Sequence, residues 1–103
     1  MITYEVNLFV QRAIETEFRA WLDDHVREIL ALPGFTGGQV FDRLEPAPAE
    51  GEFVLCTQYR LHDEAALARY LREFSPALRA DGLNRFGDRF RAERRVLKAL
   101  ADY

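Results

Sequence analysis

Apolar and polar residues alternate along the first ten positions of the chain. The apolar set falls at every second position: Ile2, Tyr4, Val6, Leu8 and Val10. The positions between them are mixed: Thr3, Glu5, Asn7 and Phe9. A period of two among residues that favour strands is typical of a strand covered on one face. The pattern therefore predicts a first strand over Met1–Val10.

The spacing of apolar residues then changes to that of a helix, over about Ile14–Leu32. The repeating apolar positions are Phe18, Trp21, Leu22, Val26 and Ile29. We expect Thr16 to help cap the start of this helix, with Glu15 and Glu17 suited to its first turn. The stretch Pro33–Phe35 is expected to end it.

Two further strands are predicted on either side of a loop. Gly38–Leu44 forms one strand and Phe53–Leu61 the other, while Glu45–Glu52 contains two prolines and a glycine. One face of the later strand would carry Phe53, Leu55, Thr57, Tyr59 and Leu61. Its other face would carry Val54, Cys56, Gln58 and Arg60.

A second helix is expected to follow Asp63, which is a suitable N-cap. Its apolar stripe consists of Ala66, Leu67, Tyr70, Leu71 and Phe74. The pair Ser75–Pro76 is typical of a helix start, so a short helix is predicted from there to Gly82.

The last twenty residues fit two structures. Leu83, Phe86 and Phe90 begin a helical repeat, yet residues 88–97 could also form a strand, and periodicity alone does not decide between them. A strand would complete two β-α-β halves, packed as a ferredoxin-like α+β sandwich with both helices on one face of an antiparallel sheet. A helix would instead give a three-stranded sheet with a long C-terminal helix.

Length and composition narrow the class of protein. A chain of 103 residues predicts a single domain over residues 1–103. The net charge of −3 argues against a nucleic-acid partner, because phosphate binding needs a basic excess. One cysteine, Cys56, excludes an internal disulfide, and no apolar run is long enough to span a membrane. With no leader-like start, we expect a cytoplasmic protein.

Positive charge is concentrated near the C-terminus. Residues 79–98 contain seven basic side chains and three acidic ones. This segment is either a solvated cationic surface or a site for an anionic small molecule.

His25 is the main candidate for chemistry. The helical period places it between Trp21 and Ile29 on the apolar stripe, so it should face the sheet. It could be a half-buried histidine that is hydrogen-bonded within the protein. Alternatively, it could act as an acid or base in a pocket between helices and sheet, because its ordinary pKa is near neutral.

Aromatic residues would surround that pocket or fill the core in its place. The candidate ligand-binding residues are Trp21, Tyr59, Tyr70 and Phe74. His62 precedes the second helix, and the two histidines have no metal-site spacing, so no metal is expected. There is no glycine-rich phosphate loop or nucleophile motif, and no cofactor is expected.

The sheet face without helices should form a homodimer interface. It combines apolar residues, such as Phe9 and Phe41, with polar ones, such as Glu5 and Gln58. Such a mixture suits a protein interface with paired polar groups. An ion pair of Glu5 with Arg60, Arg94 or Arg95 across that face is expected.

Several stretches resemble domain of unknown function family 4286. They are "YEV" (4–6), "AWLDDHV" (20–26), "GF" (34–35), "QY" (58–59), "YL" (70–71) and "GLNRFGDRFRAERRVL" (82–97), in order over most of the chain. The family resembles the dimeric α/β-barrel group with ferredoxin-like protomers, and this likeness favours a fourth strand at the C-terminus. Family members often carry a histidine where this chain has Phe74, so a role that needs two histidines is in doubt.

The resemblance does not imply a reaction, because the dimeric α/β-barrel group includes cofactor-free monooxygenases, other enzymes and proteins without known chemistry. Two hypotheses remain. The chain is a small dimeric protein that binds an apolar or aromatic molecule, with His25 as acid or base. Otherwise it is a non-enzymatic dimeric module with a packed interior.

Overall fold

The computed structural model describes all 103 residues, Met1–Tyr103. Four strands form one antiparallel sheet: β1 (Ile2–Gln11), β2 (Phe35–Asp42), β3 (Glu52–Leu61) and β4 (Phe90–Lys98). Three helices connect them: α1 (Glu15–Leu30), α2 (Glu64–Glu73) and α3 (Ser75–Phe86). The strand order is β2-β3-β1-β4. This is the predicted ferredoxin-like α+β sandwich, with the second helical segment divided into α2 and α3.

The core lies between the helices and one face of the sheet. The even-numbered residues Ile2 to Val10 of β1 and the odd-numbered residues of β3 are buried there against Phe18, Leu22 and Ile29 of α1. The predicted alternation is confirmed, because Tyr4 pairs with Tyr59 and Val6 with Thr57 in the β1–β3 register. The odd-numbered residues of β1 therefore lie on the other face, which we call the open face.

The C-terminal segment is a strand. β4 pairs with β1 from Val10↔Phe90 to Ile2↔Lys98, at one edge of the sheet. The helical alternative for these residues is wrong, because β1 has an unpaired edge that a strand can complete with backbone hydrogen bonds.

The predicted starts of α1 and β2 need correction. A 3-10 turn at Arg12–Ile14 leads directly into α1, so Thr16 lies inside the helix and does not cap it. β2 begins at Phe35 rather than Gly38, and the Phe35 ring packs edge-on against Tyr59 and Tyr70. By contrast, Asp63 caps α2 as predicted, with its Oδ1 2.9 Å from the Ala66 amide nitrogen.

α3 continues past Gly82 to Phe86. Gly82 is a helical residue whose missing side chain makes room for Trp21: a Cβ there would lie 3.1 Å from the ring. Gly87, with a positive φ of 59°, is where the helix ends. The prediction that α3 ends at Gly82 is wrong because this glycine serves packing and not chain reversal.

Candidate functional site

A cavity of about 240 Å³ lies between the helices and the sheet. Its apolar wall comes from β1, α1, α3 and β4: Val6, Leu8, Leu22, Ile29, Leu78, Leu83, Phe90 and Ala92. Its titratable and hydroxyl groups come from Tyr4, His25, Thr57, Tyr59, Tyr70, Arg79 and Arg94. An apolar cavity with a few polar groups is the usual character of a small-molecule site.

His25 lies in the wall of this cavity, one helical turn after Trp21. The two rings are stacked, with centroids 4.4 Å apart and planes 23° apart. The side chain is half-buried, and no protein group hydrogen-bonds to the imidazole. The intramolecular hydrogen bond expected of a structural histidine is therefore absent, and the ring nitrogens are not fully buried.

Burial lowers the pKa of His25 below its ordinary 6.5, and the nearby Asp81 carboxylate partly offsets this effect. The imidazole is therefore mostly neutral at pH 7 and has a lone pair available to accept a proton. Asp81 would stabilise the resulting imidazolium through its negative charge.

Trp21 is held in place by two contacts with α3. Its Nε1 donates a hydrogen bond of 2.8 Å to Asp81 Oδ2. The absence of a side chain at Gly82 allows the indole to approach the helix backbone. Asp81 therefore contacts Trp21 directly and acts on His25 electrostatically, so α3 fixes the geometry of the ring pair.

Three tyrosines, Tyr4 of β1, Tyr59 of β3 and Tyr70 of α2, form a cluster in the wall of the cavity. The Tyr4 ring centroid is 6.2 Å from that of Tyr59 and 5.9 Å from that of Tyr70. Burial raises the pKa of Tyr70 to about 12 and also raises the pKa of Tyr59. Both phenols therefore remain protonated at neutral pH and can donate hydrogen bonds.

Two arginines lie at the exposed side of the cavity. Arg79 on α3 and Arg94 on β4 both donate to the Tyr4 hydroxyl oxygen, at 3.3 and 3.0 Å. Neither was singled out as a site residue from the sequence. The available signal was the basic excess of residues 79–98, which does not indicate which cations converge.

The structure brings together four of the five site residues expected from the sequence. Trp21, His25, Tyr59 and Tyr70 all line the cavity. Phe74 does not: it follows α2 and packs against the edge of the core, with the Arg69 guanidinium 5.9 Å from its ring centroid. Phe74 thus belongs to the apolar stripe that the helical period predicts, but it lies outside the cavity lining.

Glu5 lies on the open face, outside the cavity. Its carboxylate accepts hydrogen bonds from Arg95 at 2.6 Å, Asn7 at 2.9 Å and Gln58 at 3.0 Å. These donors, Arg95 above all, lower the pKa of Glu5 to about 2 despite its burial. The expected ion pair is thus made with Arg95, the β4 neighbour of Glu5 in the same chain.

No group of three or more His, Cys, Asp or Glu side chains is placed to hold a metal ion. His62 lies between β3 and α2, outside the residues that line the cavity. None of the helices is both long and apolar enough to cross a lipid bilayer.

The fold recurs in solved structures that cover nearly the whole chain. One is a protein of Deinococcus radiodurans provisionally named an antibiotic biosynthesis monooxygenase, with TM-score 0.74 and 14% identity over 100% of this chain and 96% of that one. Another is SnoaB of Streptomyces nogalater, a cofactor-independent oxygenase, with TM-score 0.66 and 17% identity over 98% and 95%. A third is an ethd family protein of Bacillus halodurans, with TM-score 0.68 and 15% identity over 97% and 100%. At these identities the likeness establishes the shared ferredoxin-like α+β fold.

The sequence itself matches the family described as "Domain of unknown function (DUF4286)" over residues 1–100. The chain therefore belongs to this family, as the ordered stretches of sequence predict. Comparison with curated proteins finds no significant match.

Proposed function

We propose that the cavity binds a small apolar or aromatic molecule and that His25 acts on it as a proton acceptor. The observation that carries this proposal is a half-buried imidazole without a hydrogen-bond partner in the wall of a cavity. The ring nitrogens are not fully buried, so water can hydrogen-bond to them in the free protein, and a ligand in the cavity would replace that water.

The size of the cavity supports a ligand of one or two rings. A cavity of about 150 Å³ with an apolar wall can hold benzene, and this one measures about 240 Å³. The indole of Trp21 and the rings of Tyr59 and Tyr70 offer aromatic surfaces for stacking and edge contacts. An electron-rich aromatic molecule would meet both the apolar wall and the phenol donors.

A proton acceptor in such a cavity suits one reaction class in particular. SnoaB, whose fold this chain shares, is named a cofactor-independent oxygenase. Without a cofactor, an aromatic substrate must itself become electron-rich enough to react with oxygen, and loss of a proton to a base accomplishes this. We extend this class to the present chain as a proposal, with His25 as the base.

Separate substitution of each histidine tests the role of His25. We expect His25→Ala to keep the melting temperature close to wild type and to abolish oxygen uptake with a panel of hydroxynaphthalenes, or to lower its rate by about 10²-fold or more. His62→Ala is the matched control, since His62 lies outside the cavity. Oxygen consumption and calorimetric binding of the same compounds provide the two measurements.

His25→Phe separates the proposal from a non-enzymatic module. A purely structural site should accept the apolar ring with an equal or higher melting temperature, and binding of the hydroxynaphthalenes should be unchanged. That result would contradict the proposed role of His25. We expect weaker binding and no turnover, since phenylalanine has no proton acceptor.

We also propose that two copies associate through the open face. Phe41 and Leu97 are about 40% exposed at opposite edges of this face. Between them, Arg43 and Arg91 lie over the Phe9 ring, with guanidinium carbons 5.0 and 3.8 Å from its centroid. Exposed apolar side chains together with arginines stacked on an aromatic ring are residue types enriched in protein interfaces, and a second copy could present the same face.

A further inference from the structure

We propose that Tyr4, Arg79 and Arg94 form a subsite for the carboxylate of the ligand. This inference rests on the proposed small-molecule function of the cavity and adds the chemical class of its ligand. The three side chains come from β1, α3 and β4, so the fold brings together residues that are 75 and 90 positions apart.

The two arginines lack the carboxylate partners that most arginines of this chain have. Eight arginines have a carboxylate oxygen within 4.0 Å: Arg12, Arg19, Arg27, Arg69, Arg72, Arg85, Arg91 and Arg95. Arg79 and Arg94 have none, although the chain contains 17 acidic residues. Instead, both guanidinium groups approach one neutral phenol oxygen.

Such an arrangement places two solvent-exposed guanidinium groups on one phenol oxygen, with no carboxylate within 4.0 Å of either. Each guanidinium has five N–H donors, and the bond to Tyr4 uses one donor of each. The repulsion between like charges is relieved when an anion binds between them. The remaining donors are therefore available to a group with negative charge.

The Tyr4 hydroxyl is a third donor at the same place. Its oxygen accepts from both arginines, which uses its two lone pairs. Its own proton has no acceptor within the protein. A ligand oxygen at this point would thus meet one O–H and several N–H donors and no competing acceptor.

A carboxylate fits these donors better than a neutral carbonyl or hydroxyl. It has two oxygens for two guanidinium groups, and charge-assisted bonds are about twice as strong as neutral ones. Arg79 and Arg94 are exposed, whereas the Tyr4 side chain is buried. The carboxylate would therefore lie at the outer side of the cavity, with the apolar part of the ligand directed inward.

The test compares 1-naphthoate with 1-naphthamide, which has nearly the same shape but no charge. We expect wild type to bind the carboxylate about tenfold more tightly than the amide, or better, by calorimetry at low salt. In Arg79→Gln/Arg94→Gln this preference should disappear, while affinity for the amide stays within about twofold. Tyr4→Phe should reduce the preference in part, because it removes one of the donors.

A second double variant controls for net charge. Arg27→Gln/Arg72→Gln removes two exposed arginines of α1 and α2 that lie outside the cavity, and it should retain the preference for the carboxylate. If the control loses the preference too, the effect comes from overall charge and the subsite is overturned.

The remaining outcomes distinguish this inference from the proposed function. Equal binding of both compounds to wild type would overturn the carboxylate subsite and leave the aromatic cavity intact. If wild type binds neither the carboxylate nor the amide, the cavity function is contradicted, and the subsite with it. Circular dichroism of each variant establishes that the comparison is made between folded proteins.

Discussion

At the scale of single residues, the proposed site consists of the Trp21–His25 ring pair and of the Tyr4 hydroxyl with its two arginines. The helical period places His25 beside Trp21 and towards the sheet, and the structure has this arrangement, with stacked rings at 4.4 Å. The convergence of Arg79 and Arg94 on Tyr4 could not be predicted, because it depends on the β1–β4 pairing and on where α3 lies over the sheet. Local spacing contains no information about contacts over such separations.

Glu5 should make stability depend on pH in the acidic range. Its pKa is about 2 in the folded protein, below the ordinary value of 4.5. A lowered carboxyl pKa adds stability above pH 4.5, and this contribution is lost as the pH falls towards 2. We expect the Glu5 charge to contribute about 2 kcal/mol to the free energy of unfolding at pH 7. This value allows for the solvent exposure of its Arg95 partner.

Urea unfolding of Glu5→Gln at pH 7 and at pH 3 measures this contribution. The variant should be less stable than wild type at pH 7 and should differ from it much less at pH 3. Glu93→Gln, on the same face of β4, replaces a carboxylate that is 66% exposed and should change stability little at either pH. An equal loss at both pH values would refute the role of the Glu5 charge.

At the scale of elements, alternation and capping residues predict most of the fold. The faces of β1 and β3 and the Asp63 cap of α2 agree with the sequence. β4 could not be predicted by periodicity, since its exposed side chains do not follow a clear alternation. Its pairing with β1 is a long-range property, and the family resemblance supplied what the local pattern lacked. The same limit explains Gly82, where a glycine signals close packing and not the end of a helix.

Gly82→Ala should lower stability although it lies inside a helix. Alanine normally stabilises a helix by about 1 kcal/mol relative to glycine. Here the new Cβ would lie 3.1–3.4 Å from atoms of Trp21 and Phe90. Trp21 cannot move freely, because His25, Phe18 and Phe86 pack around it.

We therefore expect Gly82→Ala to cost a net 1 kcal/mol or so, as overpacking outweighs helix propensity. Asn84→Ala is the control, since Asn84 is an exposed residue of the same helix, and it should not be destabilised. Thermal unfolding followed by circular dichroism provides the measurement. A higher melting temperature for Gly82→Ala would mean that the Trp21 indole moves to make room for the Cβ. The positions of the Trp21 and His25 rings would then not be fixed by α3.

At the scale of the whole molecule, the structure is a thin two-layered slab. It measures 37 × 33 × 17 Å, and 22 of its 103 residues are buried. A slab of this kind has helices on one face of its sheet and leaves the other face uncovered. A partner on the open face would bury it, which is the physical basis of the proposed homodimer.

Phe41→Glu should shift the proposed dimer towards monomer. Phe41 is 40% exposed on the open face, and a glutamate there would replace apolar contact area with a charge that must lose water on association. Val40→Glu is a close control. The Val40 side chain is about as exposed as that of Phe41 but points to the opposite face of β2. Light scattering at micromolar concentration should give a dimer for wild type and Val40→Glu and a monomer for Phe41→Glu. A monomeric wild type would refute the proposed association.

Trp21 makes the cavity visible to spectroscopy without any label. It is the only tryptophan of the chain, so all indole fluorescence originates at this one ring. Its near neighbours are the imidazole of His25, the carboxylate of Asp81 and the space of the cavity. Proton uptake by His25, loss of the Asp81 bond and entry of a ligand would each alter the same emission band. The protein thus contains its own optical reporter, placed where the chemistry is proposed.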